Sequence, residues 1–254
     1  MSIDGRLVVW FSCGAASACA LKLVAPLKPI AVYCDVARNE HPDNQRFRAD
    51  VQNWTGVEIQ NIYNAKHKTV EEVFEKKRYM SGIKGAPCTV AMKKVPRFAF
   101  QQPDDVHVFG MTTDESKRIR EFAETNHDLH LLWPLLRAGM SKADCFTMLK
   151  EAGIKRSAMY DLGYKNANCI GCVKSSSPAY WNLVRKTHPE VFASRCEQSR
   201  RLGVKLIRIK KVRHFLDELP PDDMTDLGED LSCGPQCTIQ PDEEEDFNET
   251  DFWG

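Results

Sequence analysis

Short apolar segments alternate with helical segments over roughly the first 155 residues, and this alternation constrains the fold more than any other feature of the chain. Each apolar segment is followed by helical spacing or by a helix-capping signal. Strands and helices that alternate in this way form a parallel sheet with helices on both faces. We therefore predict an α/β protein with a doubly wound, parallel five-stranded sheet. The predicted strands are 7–11, Ile30 to Cys34, Val57 to Ile62, Val106 to Phe109 and Leu129 to Leu132.

A turn of small residues separates the first predicted strand from the helical stretch Ala18 to Val24. Its sequence is Ser12-Cys13-Gly14-Ala15-Ala16-Ser17. Small side chains let main-chain N–H groups approach an anion, and the start of a helix favours negative charge. The turn lacks the Gly-Lys-Ser/Thr of a Walker loop. By itself it fits a phosphate cradle and an ordinary tight strand-to-helix turn equally well.

The position of the turn in the predicted sheet adds to its interest. Ligands of doubly wound sheets bind beyond the carboxyl ends of the strands, where the strand order reverses. The turn at 12–17 belongs to that edge, and so does Asp35 at the end of the second predicted strand. We expect Asp35 either to accept a hydrogen bond from a ribose or adenine, or to cap the end of its strand.

The helical segments carry their own signals. Phe47, Val51 and Trp54 recur at i, i+4 and i+7 behind Asp43, which can cap a helix. After about residue 155 the pattern changes to loops rich in cysteine, serine and proline, with one helix predicted near Val184 to Leu202. Three regions follow: a nucleotide-binding α/β domain at 1–155, a cysteine-rich metal- or cluster-binding region at 156–240, and an acidic tail at 241–254 that we expect to be flexible.

The net charge of zero hides a strong asymmetry. Residues 217–254 contain 14 acidic residues and no Lys or Arg, so residues 1–216 carry 35 Lys and Arg against 21 Asp and Glu, a net charge of +14. A basic body suits a phosphate-rich partner, either a nucleotide or a nucleic acid such as tRNA or DNA. The alternatives are a tail that neutralises its own protein and a merely solvated basic face.

No segment approaches the roughly 20 apolar residues that span a bilayer. The first apolar run is too short for a signal peptide and lacks a basic flank. We therefore expect a cytoplasmic protein without a membrane partner. In that compartment ten cysteines indicate metal or redox use more than a disulfide framework.

Three cysteine sites stand out. Cys169-Ile-Gly-Cys172 has the spacing with which two thiolates bind one metal centre, although a redox pair has the same spacing. Cys233-Gly-Pro-Gln-Cys237 is a second close pair, and Cys88 precedes a basic helical segment. Thiolates suit both zinc and iron–sulfur clusters.

Taken in order, the motifs resemble those of the phosphoadenosine phosphosulfate reductase-like proteins of the PP-loop ATP pyrophosphatase superfamily, which bacteriophages often encode. The turn at 12–17 resembles the SGGxDS loop of that superfamily. The segment Gly110 to Arg118 resembles the Gly-x-Arg-x-x-x-Ser segment of the reductases. Further matches, which extend the similarity over roughly residues 6 to 240, are Trp133-Pro134-Leu135, Gly163-Tyr164 before Cys169-Ile-Gly-Cys172, Cys88-Thr89 and Cys233-Gly234.

The resemblance implies a PP-loop fold that binds ATP or a sulfonucleotide, with Mg²⁺ as a further candidate. It implies a [4Fe–4S] cluster, with zinc as the alternative, and a host-cytoplasm location if the protein is phage-encoded. Relatives commonly form homo-oligomers and use a sulfur or electron donor protein. The nucleotide-binding candidates are Ser12, Gly14, Ala15, Ser17, Asp35 and Gly110. The catalytic candidates are Lys93 and Arg118, which would stabilise negative charge, and Cys233, which would be the nucleophile. The metal ligands would be Cys88, Cys169, Cys172 and Cys237.

Four departures from the family pattern bear on the reaction. Ala16 replaces the loop aspartate and Cys13 replaces a loop glycine. Thr89 stands where the reductases have a second cysteine, and Ser232 replaces the glutamate before the catalytic cysteine. We predict ATP-dependent activation and sulfur transfer to a nucleic-acid or small-molecule acceptor. The alternatives are a phosphoadenylyl-sulfate or adenylyl-sulfate reductase that releases sulfite, and a non-catalytic binding module.

Overall fold

Five parallel strands form the centre of the protein, whose computed structural model describes residues 5–82, 85–229 and 233. The spatial order of the strands is β3-β2-β1-β4-β5. The predicted parallel five-stranded sheet is confirmed, although the third and fifth strands begin later than predicted. The strands are β1 (Leu7–Phe11), β2 (Ile30–Cys34), β3 (Ile59–Ile62), β4 (Val106–Phe109) and β5 (His130–Leu132).

The apolar composition of β1 follows from its central position. Val9 pairs with Ala31 of β2 on one side and with Val108 of β4 on the other. All five residues of β1 are buried, because helices cover both faces of the sheet. A strand that is buried on both faces forms a continuous apolar run, which is the pattern at 7–11.

Helices cover the two faces of the sheet separately, as predicted for a doubly wound fold. One face packs Val9 and Phe11 against Leu21, Phe47 and Leu149. The helices up to residue 151 are α1 (Ala15–Val24), α2 (Asp43–Thr55), α3 (Val70–Lys77), α4 (Pro87–Thr89), α5 (Val95–Phe100), α6 (Ser116–Thr125), α7 (Pro134–Arg137) and α8 (Lys142–Glu151). The residues of the opposite face are Val8, Trp10, Val32, Cys34, Phe109, Met111, Ile119 and Phe122. A π-helix, Val90–Lys94, joins α4 to α5.

The later part of the chain builds a further core. Its elements are α9 (Ala158–Asp161), α10 (Pro178–Thr187), α11 (Pro189–Leu202) and the antiparallel strands β6 (Ile207–Ile209) and β7 (Val212–His214). This core includes Trp181 and Ile170 together with Phe74 and Met92 from the earlier part. The domain boundary at 155 stays a prediction, and the tail at 241–254 lies outside the described residues.

Two helix predictions are corrected. The N-cap of α2 is Pro42, and the Asp43 carboxylate instead pairs with Arg46 and accepts the Ala158 N–H at 2.8 Å. The single helix predicted near 184–202 is two helices, α10 and α11. The break falls at His188, because Pro189 follows and disfavours the helical conformation of the residue before it. None of the described helices has the length and apolarity needed to cross a membrane.

The buried His107 in β4 makes stability depend on pH. Its Nδ1 accepts a hydrogen bond from Trp10 Nε1 at 3.0 Å, and among the described residues its Nε2 has no partner. Burial lowers the pKa of His107 to about 4. The unfolded chain, with a pKa near 6.5, takes up the proton first as the pH falls. The contribution of neutral His107 to the free energy of unfolding is therefore fully present above pH ~6.5 and is lost as the pH falls towards about 4.

We expect the free energy of unfolding, measured in urea, to fall by about 2 kcal/mol between pH ~7 and pH ~5 because of His107. His107→Phe keeps an aromatic ring beside Trp10 and cannot titrate, so its stability should change less over the same interval. Equal pH dependence in both proteins would contradict the assignment to His107.

Candidate functional site

A cleft of about 410 Å³ lies where the strand order reverses. After β1 the chain continues to β2 on one side of β1, whereas β4 lies on the other side. The loops that follow β1 and β4 therefore diverge and leave a cleft between them. Ser12, Gly14 and Ser17 line the cleft from the first loop, and Gly110 and Arg118 line it from the second. The structure therefore brings together two motifs that are almost 100 residues apart in the sequence.

The Ser12–Ser17 turn is closed by its own hydroxyl groups. Ser17 Oγ donates to Gly14 O at 2.9 Å and accepts the Ser12 N–H at 3.2 Å. Cys13 takes a left-handed backbone conformation, with φ of 55°. This conformation is unfavourable for a residue with a Cβ. The turn is therefore compact and strained, and it places the start of α1 at the cleft.

Two of the predicted nucleotide-binding residues do not line the cleft. The Ala15 N–H donates to the Tyr160 hydroxyl at 3.3 Å, so a side chain from α9 occupies the first amide of α1. Asp35 accepts the Ala37 N–H at 2.9 Å and the Asn61 side-chain amide at 3.3 Å. The hydrogen bond from the Ala37 N–H forms a turn at the end of β2, and this turn corresponds to the alternative role considered for Asp35. Tyr160 itself lines the cleft and carries no local sequence signal.

Cationic side chains surround the mouth of the cleft. Arg118 is joined by Lys142 and Lys165, which sequence motifs did not indicate. Arg118 pairs with Glu115 one helical turn earlier, and Lys142 Nζ donates to Asn166 Oδ1 at 2.8 Å. The same lining contains three carboxylates, so the preference for an anionic ligand comes mainly from the start of α1 at the cleft.

Three carboxylates line the described part of the cleft. Glu115 is paired with Arg118, and Asp114 accepts the Lys142 N–H at 2.8 Å. Glu229, the third, accepts several hydrogen bonds from serines, as described below. All three carboxylates have hydrogen-bond or ion-pair partners, and a Mg²⁺ ion, which is often held by one or two carboxylates together with substrate phosphates, stays a prediction.

Three of the predicted metal ligands lie near one another and near Cys233; we call these four residues the cysteine group. Burial and the neighbouring Cys233 and Cys172 raise the pKa of Cys88. Burial, followed by Cys233, raises the pKa of Cys172 to about 11. Burial raises the pKa of Cys169, and Cys233 and Cys172 add to the effect. The predicted fourth ligand, Cys237, lies outside the described residues.

The donor set of the cysteine group suits an iron–sulfur cluster. Among the described residues no three His, Cys, Asp or Glu side chains are placed to hold a single metal ion, and zinc stays the predicted alternative to a cluster. A four-iron cluster takes its thiolate ligands at separate corners, and they are therefore spread more widely than the ligands of one ion. The buried Lys93 cation beside the thiols fits the negative charge that thiolate ligands bring.

Lys93 lies in the π-helix Val90–Lys94 and its side chain faces the cysteine group, not the cleft. Its Nζ donates to the Cys233 carbonyl oxygen at 3.1 Å. Burial acts to lower the pKa of Lys93, but Cys233, Cys169 and Glu40 raise it well above its usual value. The ammonium group therefore stays charged. π-Helical turns often occur at functional sites, and this one also exposes the Lys93 carbonyl to Cys34 Sγ at 3.5 Å.

Cys233 connects the cysteine group to the cleft, which it lines. Its Sγ lies 3.7 Å from Thr89 Oγ1. Burial acts to raise the pKa of Cys233, but Lys93 and Lys174 outweigh it and lower the pKa to about 7. Because thiolates are the reactive form of cysteine, Cys233 is suited to nucleophilic chemistry near neutral pH.

Lys93→Met should make Cys233 less reactive. Removal of the buried cation leaves burial dominant, so the pKa of Cys233 should return to its ordinary range or above. We expect alkylation of the Cys233 peptide at pH ~7, followed by mass spectrometry, to slow by about tenfold or more. The Cys196 peptide, which is remote from Lys93, is the internal reference. A Cys233 rate that is unchanged relative to Cys196 would contradict the role of Lys93.

The segment 223–229, which we call the C-terminal strap, is fastened to the start of α10. The Glu229 carboxylate accepts the Ser176 N–H at 2.8 Å, the Ser175 hydroxyl at 3.0 Å and the Ser177 N–H at 3.2 Å, and it also contacts the Ser176 hydroxyl. A carboxylate at a helix N-terminus is favoured by the free N–H groups there. The sequence indicated neither this anchor nor its proximity to Cys233.

A second cavity of about 300 Å³ opens beside the cleft. Its walls are mainly apolar and include Tyr164, Tyr180 and Met224, and Cys169 of the cysteine group also lines it. The Tyr180 hydroxyl accepts the Cys172 N–H at 2.7 Å, which ties this wall to the cysteine loop. The residues that line both cavities are Lys165, Asn166, Asn168 and Glu229.

The fold and the cleft define a parallel α/β domain with an open site at its topological switch point. A solved structure of this architecture is phosphoadenylyl-sulfate (PAPS) reductase from Candida auris, in a phosphate complex. The TM-score is 0.50 at 15% sequence identity, and the match covers 65% of this chain and 81% of the reductase chain. At this identity the match shows a shared fold, which confirms the predicted fold class. No protein-family model and no curated protein sequence matches the chain.

Proposed function

We propose that this protein uses ATP to activate an acceptor and then transfers sulfur to it. The observation that carries this proposal is the presence of two adjoining cavities, each lined by one member of the cysteine group. Cys233 lines the cleft at the start of α1, and Cys169 lines the apolar cavity. A transfer reaction needs separate places for a nucleotide and an acceptor, and two adjoining cavities would provide them.

The first step would be adenylation of the acceptor. A carbonyl oxygen of the acceptor attacks the α-phosphorus of ATP, so that an O–P bond forms and the bond to pyrophosphate breaks. At the start of α1, Gly14 and Ser17 would hold the phosphates by their main-chain N–H groups, as helix N-termini do for anions. Arg118 and Lys142 would stabilise the charge on the departing pyrophosphate.

The second step would replace oxygen by sulfur. Hydrosulfide, the sulfur donor by chemical class, attacks the activated carbon; a C–S bond forms, the C–O bond breaks, AMP leaves and the proton passes to solvent. No net oxidation or reduction occurs. Cys88, Cys169, Cys172 and Cys237 would hold a [4Fe–4S] cluster, which when bound would fix the cysteine loop beside the cleft, because four cysteine ligands leave no iron open to a further ligand.

A second candidate function is reduction of a sulfonucleotide, favoured by the lowered pKa of Cys233 at the wall of the cleft. The Cys233 thiolate would attack the sulfur of the bound phosphoadenylyl or adenylyl sulfate, forming an S–S bond and releasing the nucleotide. A dithiol reductant would then attack Cys233 Sγ, become oxidised to a disulfide and release sulfite. The similar solved structure is that of a reductase.

Anaerobically purified protein distinguishes these functions. We expect ATP with sulfide to yield pyrophosphate in the presence of an acceptor, and sulfonucleotide with dithiothreitol to yield no sulfite. Sulfite release that is lost in Cys233→Ser would establish the reductase instead. Nucleotide binding without either product would leave a binding module. Iron analysis should give about four irons per chain, and a colourless protein that contains only zinc would contradict the cluster.

A further inference from the structure

The β6–β7 hairpin stands apart from the five-stranded sheet, and four of its eight residues are Lys or Arg. Ile209 pairs with Val212, so Lys210 and Lys211 form the two-residue turn between the strands. Ile207 is buried in the core beneath the hairpin, while both lysines and Arg208 are exposed. The hairpin therefore presents a basic tip on an apolar base.

The turn residues are poorly suited to the conformation they adopt. Lys210 has φ of 46° and Lys211 has φ of 70°. Two consecutive left-handed residues are the requirement of the tight turns that join twisted strands, and Asn-Gly is the favoured sequence there. Each lysine carries a Cβ that disfavours this region. The geometry of the turn therefore does not account for the choice of lysine, and strain retained at an exposed position points to a function.

The pairing of the strands is unfavourable as well. Arg208 lies directly opposite Arg213 in the antiparallel register. Like charges in directly opposed positions destabilise a sheet. The hairpin thus concentrates positive charge in spite of two separate local costs.

The positive charge of the hairpin is not neutralised within the described part of the chain. The nearest acidic residues, Asp217 and Glu218, pair with Arg200, and Glu218 also contacts His214. The Arg213 guanidinium donates to a main-chain carbonyl, and Lys205 lies over the Phe215 ring. Within the described residues no ion pair is formed by the hairpin cations Arg208, Lys210, Lys211 and Arg213, nor by Lys205 just before the hairpin.

The hairpin is attached to the loop that leads into the candidate site. The Arg208 N–H donates to Ser176 O at 2.9 Å. Ser176 also holds the Glu229 carboxylate, and Ser175 and Glu229 line the second cavity. A partner that lies on the hairpin is thereby brought to the side of the protein that carries the cysteine loop.

We infer that the β6–β7 hairpin docks the phosphate backbone of a nucleic acid, which serves as the acceptor; this rests on the proposed function. Closely spaced cations match a repeating phosphate charge, and a two-stranded ribbon fits a nucleic-acid groove. Protein interfaces usually have an apolar or aromatic centre, whereas Val212 is the exposed apolar residue of the described hairpin. The chemistry of the surface thus favours a nucleic acid over an acidic protein.

The test replaces Lys210 with Asn and Lys211 with Gly in the full-length chain. This double variant removes two charges and installs the favoured turn, so its melting temperature should rise while its binding weakens. The probes are a fluorescein-labelled duplex DNA, a labelled hairpin RNA and labelled poly-glutamate. We expect affinity for at least one nucleic acid to fall about tenfold, and the slope of log affinity against log salt to decrease by about 1.5 to 2.

The matched control is Lys28→Gly with Lys68→Asn. Both lysines are exposed, and Lys28 also has a left-handed φ of 52°. The control therefore removes the same charge and relieves backbone strain at positions that are distant in sequence from the hairpin. Wild-type affinity in the hairpin variant, or equal weakening in the control, would overturn the proposal. Poly-glutamate binding as tight as that of the nucleic acids would also overturn it. Pyrophosphate release from ATP, measured on the same proteins, tests the proposed function independently of this binding.

Discussion

Replacing Gly110 with alanine is expected to disrupt the cleft. A Cβ at this position would lie 2.4 Å from Ser17 N, 2.5 Å from Ser17 Cα and 2.8 Å from Ala16 C. All three atoms belong to the main chain of the turn and of α1, so no side-chain rotation relieves the overlap. We expect a loss of at least about 3 kcal/mol in the free energy of unfolding. Protein that still folds should lose nucleotide affinity, because the start of α1 must move away from β4.

Gly14→Ala is the matched control for Gly110→Ala. A Cβ on Gly14 would meet Tyr160 Oη at 3.6 Å and Ser12 Oγ at 3.7 Å, which are ordinary contacts. Its φ of −90° is open to every residue. We expect this variant to unfold within about 1 kcal/mol of the wild type in urea. Equal loss of stability in the two variants would contradict the close approach of Gly110 to the turn.

Glu229→Ala is expected to release the C-terminal strap. The variant leaves Ser175, Ser176 and Ser177, which are almost fully buried, without their shared acceptor. A buried donor without a partner costs about 1 to 3 kcal/mol, so roughly 3 kcal/mol should be lost in all. Limited proteolysis near Met224 and Leu227, together with urea unfolding, measures the local and the global effect. Cys233 follows four residues later, so its alkylation should become faster relative to Cys196.

Asp226→Asn serves as the control within the same strap. Asp226 pairs with Lys165, and both side chains are more than half exposed. Exposed ion pairs contribute little, so we expect near wild-type proteolysis and stability. If Glu229→Ala and Asp226→Asn behave alike, the serine anchor does not hold the strap.

The framework of the fold could be predicted because it depends on local patterns. A continuous apolar run such as 7–11 belongs to a strand that is buried on both faces, and Thr69 caps α3 by accepting the N–H of Glu72, which lies only three residues later. The break at His188 was missed, although Pro189 was a visible signal. The apolar periodicity on either side of this residue is continuous, and it concealed the boundary.

The site was predicted only in part because its contacts are long-range. The positions of Ser12, Gly110 and Arg118 around one cleft follow from the strand order, because β1 and β4 are neighbours in the sheet. The occupation of the Ala15 amide by Tyr160 and the anchoring of Glu229 by three serines were not. Such hydrogen bonds depend on how separate segments pack, and neither hydrophobic periodicity nor motif spacing records that.

The amino-acid sequence alone determined the parallel α/β architecture and indicated which cysteines are candidates for metal or redox use. Apolar periodicity and close cysteine spacing are local properties of the chain. The tertiary structure decided which groups act together. It places Lys93 against Cys233, 140 residues away, and this contact lowers the pKa of the thiol to about 7. The physical reason is that electrostatic and steric effects depend on distance in space. A local pattern predicts a strand or a turn, whereas only packing determines which charge lies beside which thiol.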